Sequence, residues 1–381
     1  MTIANALLAL SVTTQAVAVP APHAAPPPGP PAPPSASVPP PAVASGHRVP
    51  GQPYSQRLLD YRASDVRCGA VAPEIVHREP VLAALGHPGA THAPLRLRFR
   101  IDADGRPLSI APEGEGQRVG NDDLMPSFVA WRFAPGQAAD GCTVTFYPID
   151  EAVEQVSPER LQRFIALGVF RPEQRPPQPV FDRARPTGDC TQRWPQVLTQ
   201  TFPRFDSIPA GPGTLAQATI GFDIAADGMP TNMRVLSSDG NAALDKASMA
   251  AIGDWRYADG PRTGCVYPYH RRSAHPMPAP QAPAAAALRD PATRCDVGSG
   301  WEREPNIVFP DPYRKRSVEG WAVVAYDVAP WGELGNVRVV AAEPTSEFGD
   351  AAKRVVLGAR KLAASTGASG CTQTVRFNMQ R

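Results

Sequence analysis

The stretch Phe222–Gly240, FDIAADGMPTNMRVLSSDG, decides how the chain folds. Two chemistries compete for it with plain scaffold. Asp223, Asp227 and Gly228 look like the opening of a cation loop, and Ser237 and Ser238 beside Asp239 look like hydroxyls awaiting a base. The apolar residues favour scaffold. Ile220, Phe222 and Ile224 alternate before Gly228, and the chain resumes as Asn232-Met233-Arg234-Val235 after it. Period-two alternation marks a half-buried strand. Two such strands around Asp-Gly read as a hairpin, because glycine tolerates the positive φ of a tight turn.

The same pattern occurs three times. Cys68 to Cys142, Cys190 to Cys265 and Cys295 to Cys371 span 74, 75 and 76 residues. The second cysteine of each pair follows a glycine (Gly141, Gly264, Gly370), and Gly105, Gly228 and Gly332 lie near the midpoints. Self-similarity at a fixed period is the mark of a repeated architecture. The repeat selects one bond within each copy from the fifteen pairings that six cysteines allow, namely 68–142, 190–265 and 295–371. A zinc site in their place needs closely clustered Cys or Cys/His ligands, and none occurs.

Each copy alternates before its central glycine: Leu95, Leu97, Phe99 and Ile101 in the first, Ala322, Val324, Tyr326 and Val328 in the third. Asn336-Val337-Arg338-Val339 matches Asn232–Val235 at identical offsets. A helix follows, with Leu244, Ser248, Ala251 and Trp255 at helical spacing in the second copy and Phe348, Ala352, Val355 and Ala359 in the third. Trp131-Arg132-Phe133 and Trp255-Arg256-Tyr257 close the first two helices, and a last strand carries the second cysteine. The expected fold class is α+β: three tandem small domains, each an antiparallel sheet in the order strand-strand-helix-strand packed on its helix. The expected domains are residues 60–150, 181–273 and 291–381. Residues 151–180, with a helix capped by Ser157 and Pro158, and residues 274–290 read as linkers between semi-independent domains.

The 381 residues carry a formal charge of +2, so no strongly basic surface advertises nucleic acid. Prolines number 46, and thirteen lie between Pro20 and Pro50. Residues 20–53 therefore read as a disordered, extended linker that cannot bury a core. Before it, residues 1–19 read as an export signal, with Ala16-Val17-Ala18 as the small-x-small cleavage pattern, or as a short apolar anchor. Membrane association is expected only through this segment, if it is not cleaved. Paired cysteines behind an export signal place the chain in an oxidising compartment.

No catalytic, cofactor or metal site is expected. Asp102-Ala-Asp104-Gly105 begins like a calcium loop, but Pro107, Leu108 and Ile110 follow in a strand pattern, so the segment reads as a hairpin turn. Ser237 and Ser238 lack the strand–turn–helix setting of a nucleophile and suit turn or capping hydrogen bonds. His77, His87 and His92 share a loop without the spacing of metal ligands, and Trp131 and Trp255 read as core plugs at helix ends.

The second copy, FDIAADGMPTNMRVLSSDGNAALDKASMAAIGDWRY, resembles the C-terminal domain of the TonB family. The matching features are the strand, the Asp-Gly turn, the V-x-S-S-x-G ending, the Leu-Asp helix start and the terminal Trp-Arg-aromatic. The first copy keeps the turn and Trp131 but has Glu113-Gly114-Glu115-Gly116 in place of the Ser-Ser element, and the third has Ala359 where the tryptophan is expected. The resemblance implies a non-enzymatic, periplasmic protein that binds envelope partners, TonB-dependent outer-membrane transporters among them, by adding a strand to an open sheet edge. One alternative is a TonB-type energy transducer for outer-membrane transport with an N-terminal membrane anchor. Another is an envelope hydrolase or metal-binding protein.

Overall fold

Each central glycine acts in the same way. Gly105, Gly228 and Gly332 adopt φ of +75°, +79° and +90°, where an L side chain is strained. A Cβ at each would overlap a carbonyl oxygen, that of Phe133, Tyr257 and Lys361 respectively. The glycine carbonyls accept hydrogen bonds from the N–H groups of those same residues at 2.9, 3.0 and 2.9 Å. The turn of each hairpin is thus clamped onto the chain just beyond the helix.

The computed structural model describes residues 56–379 except 87–88, 115–119, 169–174, 192–193, 259, 274 and 299. The expected export segment and proline-rich linker lie outside the described residues. The first repeat comprises β1 (Arg57–Ala63), β2 (Arg67–Cys68), β3 (Ile75–His77), β4 (Ala84–Gly86), β5 (Leu95–Ile101), β6 (Pro107–Pro112), α1 (Leu124–Val129), β7 (Arg132–Phe133) and β8 (Ala139–Ala152). After α2 (Pro158–Leu167) and α3 (Gln178–Ala184), the second comprises β9 (Val197–Thr199), β10 (Leu215–Ile224), β11 (Pro230–Ser238), α4 (Ala242–Gly253), β12 (Arg256–Tyr257) and β13 (Arg262–Arg272). The third comprises β14 (Trp301–Arg303), α5 (Asp311–Lys315), β15 (Gly320–Val328), β16 (Leu334–Glu343), α6 (Ser346–Leu357), β17 (Arg360–Lys361) and β18 (Ala368–Phe377).

The architecture is α+β with antiparallel sheets. The second and third repeats build sheets of order β11-β10-β13 and β16-β15-β18. The first builds the equivalent β6-β5-β8 and extends it with β1 and β4. Two-stranded ribbons, β3–β7, β9–β12 and β14–β17, tie each lead-in to the residues after its helix. Disulfides join Cys68 to Cys142, Cys190 to Cys265 and Cys295 to Cys371.

Semi-independent domains on linkers are not what the chain forms. Residues 53–381 are one compact unit, and a single apolar core contains Phe99, Phe128 and Phe146 of the first repeat with Val324, Phe348 and Phe377 of the third. The supposed linkers are the reason. Helix α2 lies against β10, β11 and β13 and buries Leu161 and Phe164 with Leu58 and Val153. Met277, in the second supposed linker, is 5% exposed and pairs its backbone with Ser317 and Glu319 at 2.7 and 3.0 Å. Apolar residues spaced along a proline-rich segment can still be buried, and here they glue the repeats together.

Candidate functional site

The residues that suggested chemistry serve the scaffold. Asp102 accepts hydrogen bonds from the N–H groups of Asp104 and Arg106 at 3.0 and 2.8 Å and pairs with the Arg106 guanidinium. Asp223 accepts from the N–H of Gly264 at 2.9 Å and from Asn232 Nδ2 at 3.0 Å, closing the second hairpin against the cysteine turn. Ser238 Oγ donates to Asp245 and accepts from the Gly240 N–H at 2.9 Å, while Ser237 exchanges hydrogen bonds with Gln217. Ser238 thus ties the end of β11 to the first turn of α4. Asn241 caps α4 by accepting from the Leu244 N–H at 3.0 Å. Trp131 and Trp255 are buried, and each indole N–H reaches a lead-in carbonyl, that of Glu79 or Thr201. His77 Nε2 lies 3.2 Å from Glu79 Oε2, the Nε2 of His92 is buried without a partner, and His87 lies outside the described residues.

What remains open is the edge of a sheet. In the first repeat the β6-β5-β8 unit has a neighbour on each flank: β1 pairs along β8 from Phe146 to Ala152, and Ile110 of β6 donates its N–H to the Pro344 carbonyl at 2.9 Å. In the second repeat β13 pairs only with β10 among the described residues. The same strand carries Pro268 opposite Thr219. Proline lacks an N–H and is tolerated in a strand when its nitrogen faces the unpaired side. Backbone direction alternates along a strand, so the N–H of His270, two residues on, faces outward as well. Beside this edge lies a cavity of about 410 Å³ bordered by Phe202, Phe205, Tyr267 and Tyr269. Phe202 is exposed, and the Tyr269 hydroxyl is buried without a partner. Burial, then the neighbouring Tyr267, raises the Tyr269 pKa far above its ordinary value, so this hydroxyl stays a neutral donor.

A larger cleft of about 910 Å³ lies between the first and second repeats. Its inner wall is braced by Arg316, which is fully buried and which the sequence reading missed. This arginine forks onto Asp123 through Nε and Nη2 at 2.6 and 2.5 Å and reaches Glu79 through Nη1 at 2.7 Å. It also donates to the carbonyls of Pro80 and Gly213 at 2.9 and 3.2 Å. One side chain of the third repeat therefore fastens both others. Burial opposes ionisation of Glu79, but the His77 hydrogen bond and the Arg316 guanidinium outweigh it and hold the carboxyl below its ordinary range.

Residues 213–271 match the family model described as Gram-negative bacterial TonB protein C-terminal. This segment is a TonB C-terminal-like domain. It takes in β10, β11, α4, β12 and β13 to Arg271, so the open edge belongs to the matched segment. No curated protein matches the chain. Among the described residues no helix is long and apolar enough to cross a membrane.

Proposed function

We propose that the chain is a non-enzymatic protein of the Gram-negative cell envelope, working in the periplasm, that binds an extended segment of a protein partner along β13. The observation that carries this reading is the contrast between equivalent edges. The β8 edge of the first repeat already holds a strand, β1, in seven-residue antiparallel register from Arg57 to Ala63. The β13 edge of the TonB-like repeat holds none among the described residues. An added strand would satisfy the exposed backbone groups, at about 1 kcal/mol net for each hydrogen bond made. Phe202 and the tyrosine-lined cavity would receive alternate side chains. Outer-membrane transporters are the partner class that the TonB-like segment suggests.

The test is site-specific photocrosslinking in the native envelope, with benzoylphenylalanine placed at His270 or at Tyr147 of the occupied β8. Crosslinks to a defined envelope protein from position 270 and not from 147 are expected, and in a separate variant His270→Pro should abolish capture by a photoprobe at Arg272. Equal yields from both strands, or none from β13, would sink the edge-addition reading.

A further inference from the structure

The cleft between the first and second repeats has a charge imbalance that the fold does not use. Its carboxylates are mostly engaged: Glu79 holds Arg316, and Asp239 pairs with Arg163 at 2.9 Å. Asp206 is the acid left exposed. Against it stand the guanidinium groups of Arg78, Arg132 and Arg271, which line the cleft together with the His275 imidazole and form no ion pair among the described residues.

These cations are also held in place. Arg78 lies over the Trp131 ring, 5.4 Å from its centroid. Arg132 Nη1 donates to the carbonyls of Val129 and Trp131 at 3.0 and 2.6 Å, and its Nη2 reaches the Met277 sulfur at 3.6 Å. Arg271 Nε reaches the Ile208 carbonyl at 3.3 Å. Carbonyls and a thioether do not neutralise a guanidinium, so each keeps its full charge beside a wall of Ile208, Leu215 and Ala130. A guanidinium that is already oriented loses little entropy on binding a carboxylate, and bidentate pairing adds strength.

We propose that this cleft binds an acidic peptide segment of a partner protein. The proposal goes beyond strand addition and does not depend on it, since the cleft includes His77, Arg78 and Arg132 of the first repeat, outside the TonB-like segment. The cleft is far larger than a lone inorganic anion requires, and its apolar wall suits the small side chains between acidic ones. The chain's own leading segment is a poor occupant, because residues 1–55 contain no aspartate or glutamate.

The test uses the full chain with its disulfides intact and a fluorescein-labelled octapeptide of alternating alanine and glutamate, read by anisotropy. Peptides with serine or lysine in place of glutamate are the comparisons. The acidic peptide should bind about tenfold more tightly than the serine peptide, and the gap should narrow as salt is raised. Arg132→Gln should weaken the acidic peptide about fivefold, and His275→Gln, at an exposed position, should weaken it in the same direction. Arg256→Gln is the matched control, because Arg256 makes the same helix-end hydrogen bonds, to Gly253 and Trp255, away from the cleft. Equal binding of the acidic and serine peptides, no measurable binding of the acidic one, or equal losses from Arg132→Gln and Arg256→Gln would overturn the proposal. Displacement of the peptide by an equal concentration of inorganic pyrophosphate would overturn it too, in favour of a phosphate ligand. His270→Pro should leave the acidic peptide bound; its loss there, with Arg132→Gln silent, would overturn the cleft site and leave edge addition standing.

Discussion

Replacing Arg316 by methionine should destabilise the folded chain by about 4 kcal/mol. The side chain has no exposed surface, and its partners Glu79 and Asp123 are 2% and 9% exposed. Removing one member of a buried ion pair costs about 3–5 kcal/mol, mainly because the other charge is stranded. Two carboxylates are stranded here, which argues for the upper end. Each keeps a backbone donor, Leu82 N–H for Asp123 at 2.7 Å and Leu215 N–H for Glu79 at 3.0 Å, which argues against exceeding it. Urea unfolding followed by circular dichroism and by tryptophan fluorescence, without reductant, gives the measurement. With a denaturant slope near 3 kcal/mol per molar, the midpoint should fall by about 1 M. Adding Asp123→Asn to the Arg316→Met chain should recover stability, because it removes a stranded charge. A loss below about 1 kcal/mol would refute the reasoning, as would a double variant weaker than the single.

Three further outcomes are expected. Gly228→Ala should cost more than about 2 kcal/mol, since it combines φ of +79° with overlap on the Tyr257 carbonyl, whereas Gly69→Ala, at +63° with nothing nearby, should cost only the conformational strain of about 1 kcal/mol; thermal unfolding of the two variants separates these effects. Replacing both Cys190 and Cys265 by serine opens a 75-residue loop and should cost about 4 kcal/mol by chain entropy, seen as a lower urea midpoint for the second repeat. The Glu79 carboxyl is held below its ordinary value of 4.5, so its contribution is complete above pH 4.5 and is lost as pH falls through the lower folded value; the stability gap between the native chain and Glu79→Gln should be widest near neutrality and close in acid. A gap that widened on acidification would show the opposite sign of linkage.

The hairpins and helices were legible because their signals are local. Phe222, Ile224 and Gly228 lie within seven residues, and α4 shows its buried face as Leu244, Ser248 and Ala251 at helical spacing. The way the repeats meet was not legible, because it rests on pairs distant in sequence. Arg316 follows Arg314 and Lys315, and nothing local distinguishes the buried cation from its exposed neighbours. Its partners lie 193 and 237 residues away. The Pro158 helix was visible as a helix, but not that it packs against β10, a strand whose polar Gln217 and Thr219 are 1% exposed. A polar face of a strand reads as solvent-facing until a partner covers it. The cleft escaped notice for the same reason: Arg78, Arg132, Arg271 and His275 are scattered along nearly two hundred residues and converge only in the fold.

The first repeat differs from the other two at the positions where it joins the third. Asp223 and Asp327 sit five residues before their glycines, and each satisfies a Gly-Cys turn and an asparagine across the hairpin, Asn232 or Asn336, at φ near +50°. The second and third hairpins are therefore closed by their own side chains. At the matching positions the first repeat has Arg100 and Ser109, the latter at φ +53°. The missing carboxylate comes from Glu343 of the third repeat. It accepts from Arg100 Nη2 at 2.9 Å and from the N–H and hydroxyl of Ser109, both at 2.7 Å. The next residue, Pro344, accepts the Ile110 N–H, so charge and backbone pair at one joint. A self-contained hairpin has become one that is complete only in the assembled chain. That exchange ties β6 to the third repeat at Ile110, while β1 covers the β8 side with a seven-residue ladder. The β6-β5-β8 unit of the first repeat thus has a neighbour on each flank, whereas in the TonB-like second repeat β13 pairs only with β10 among the described residues.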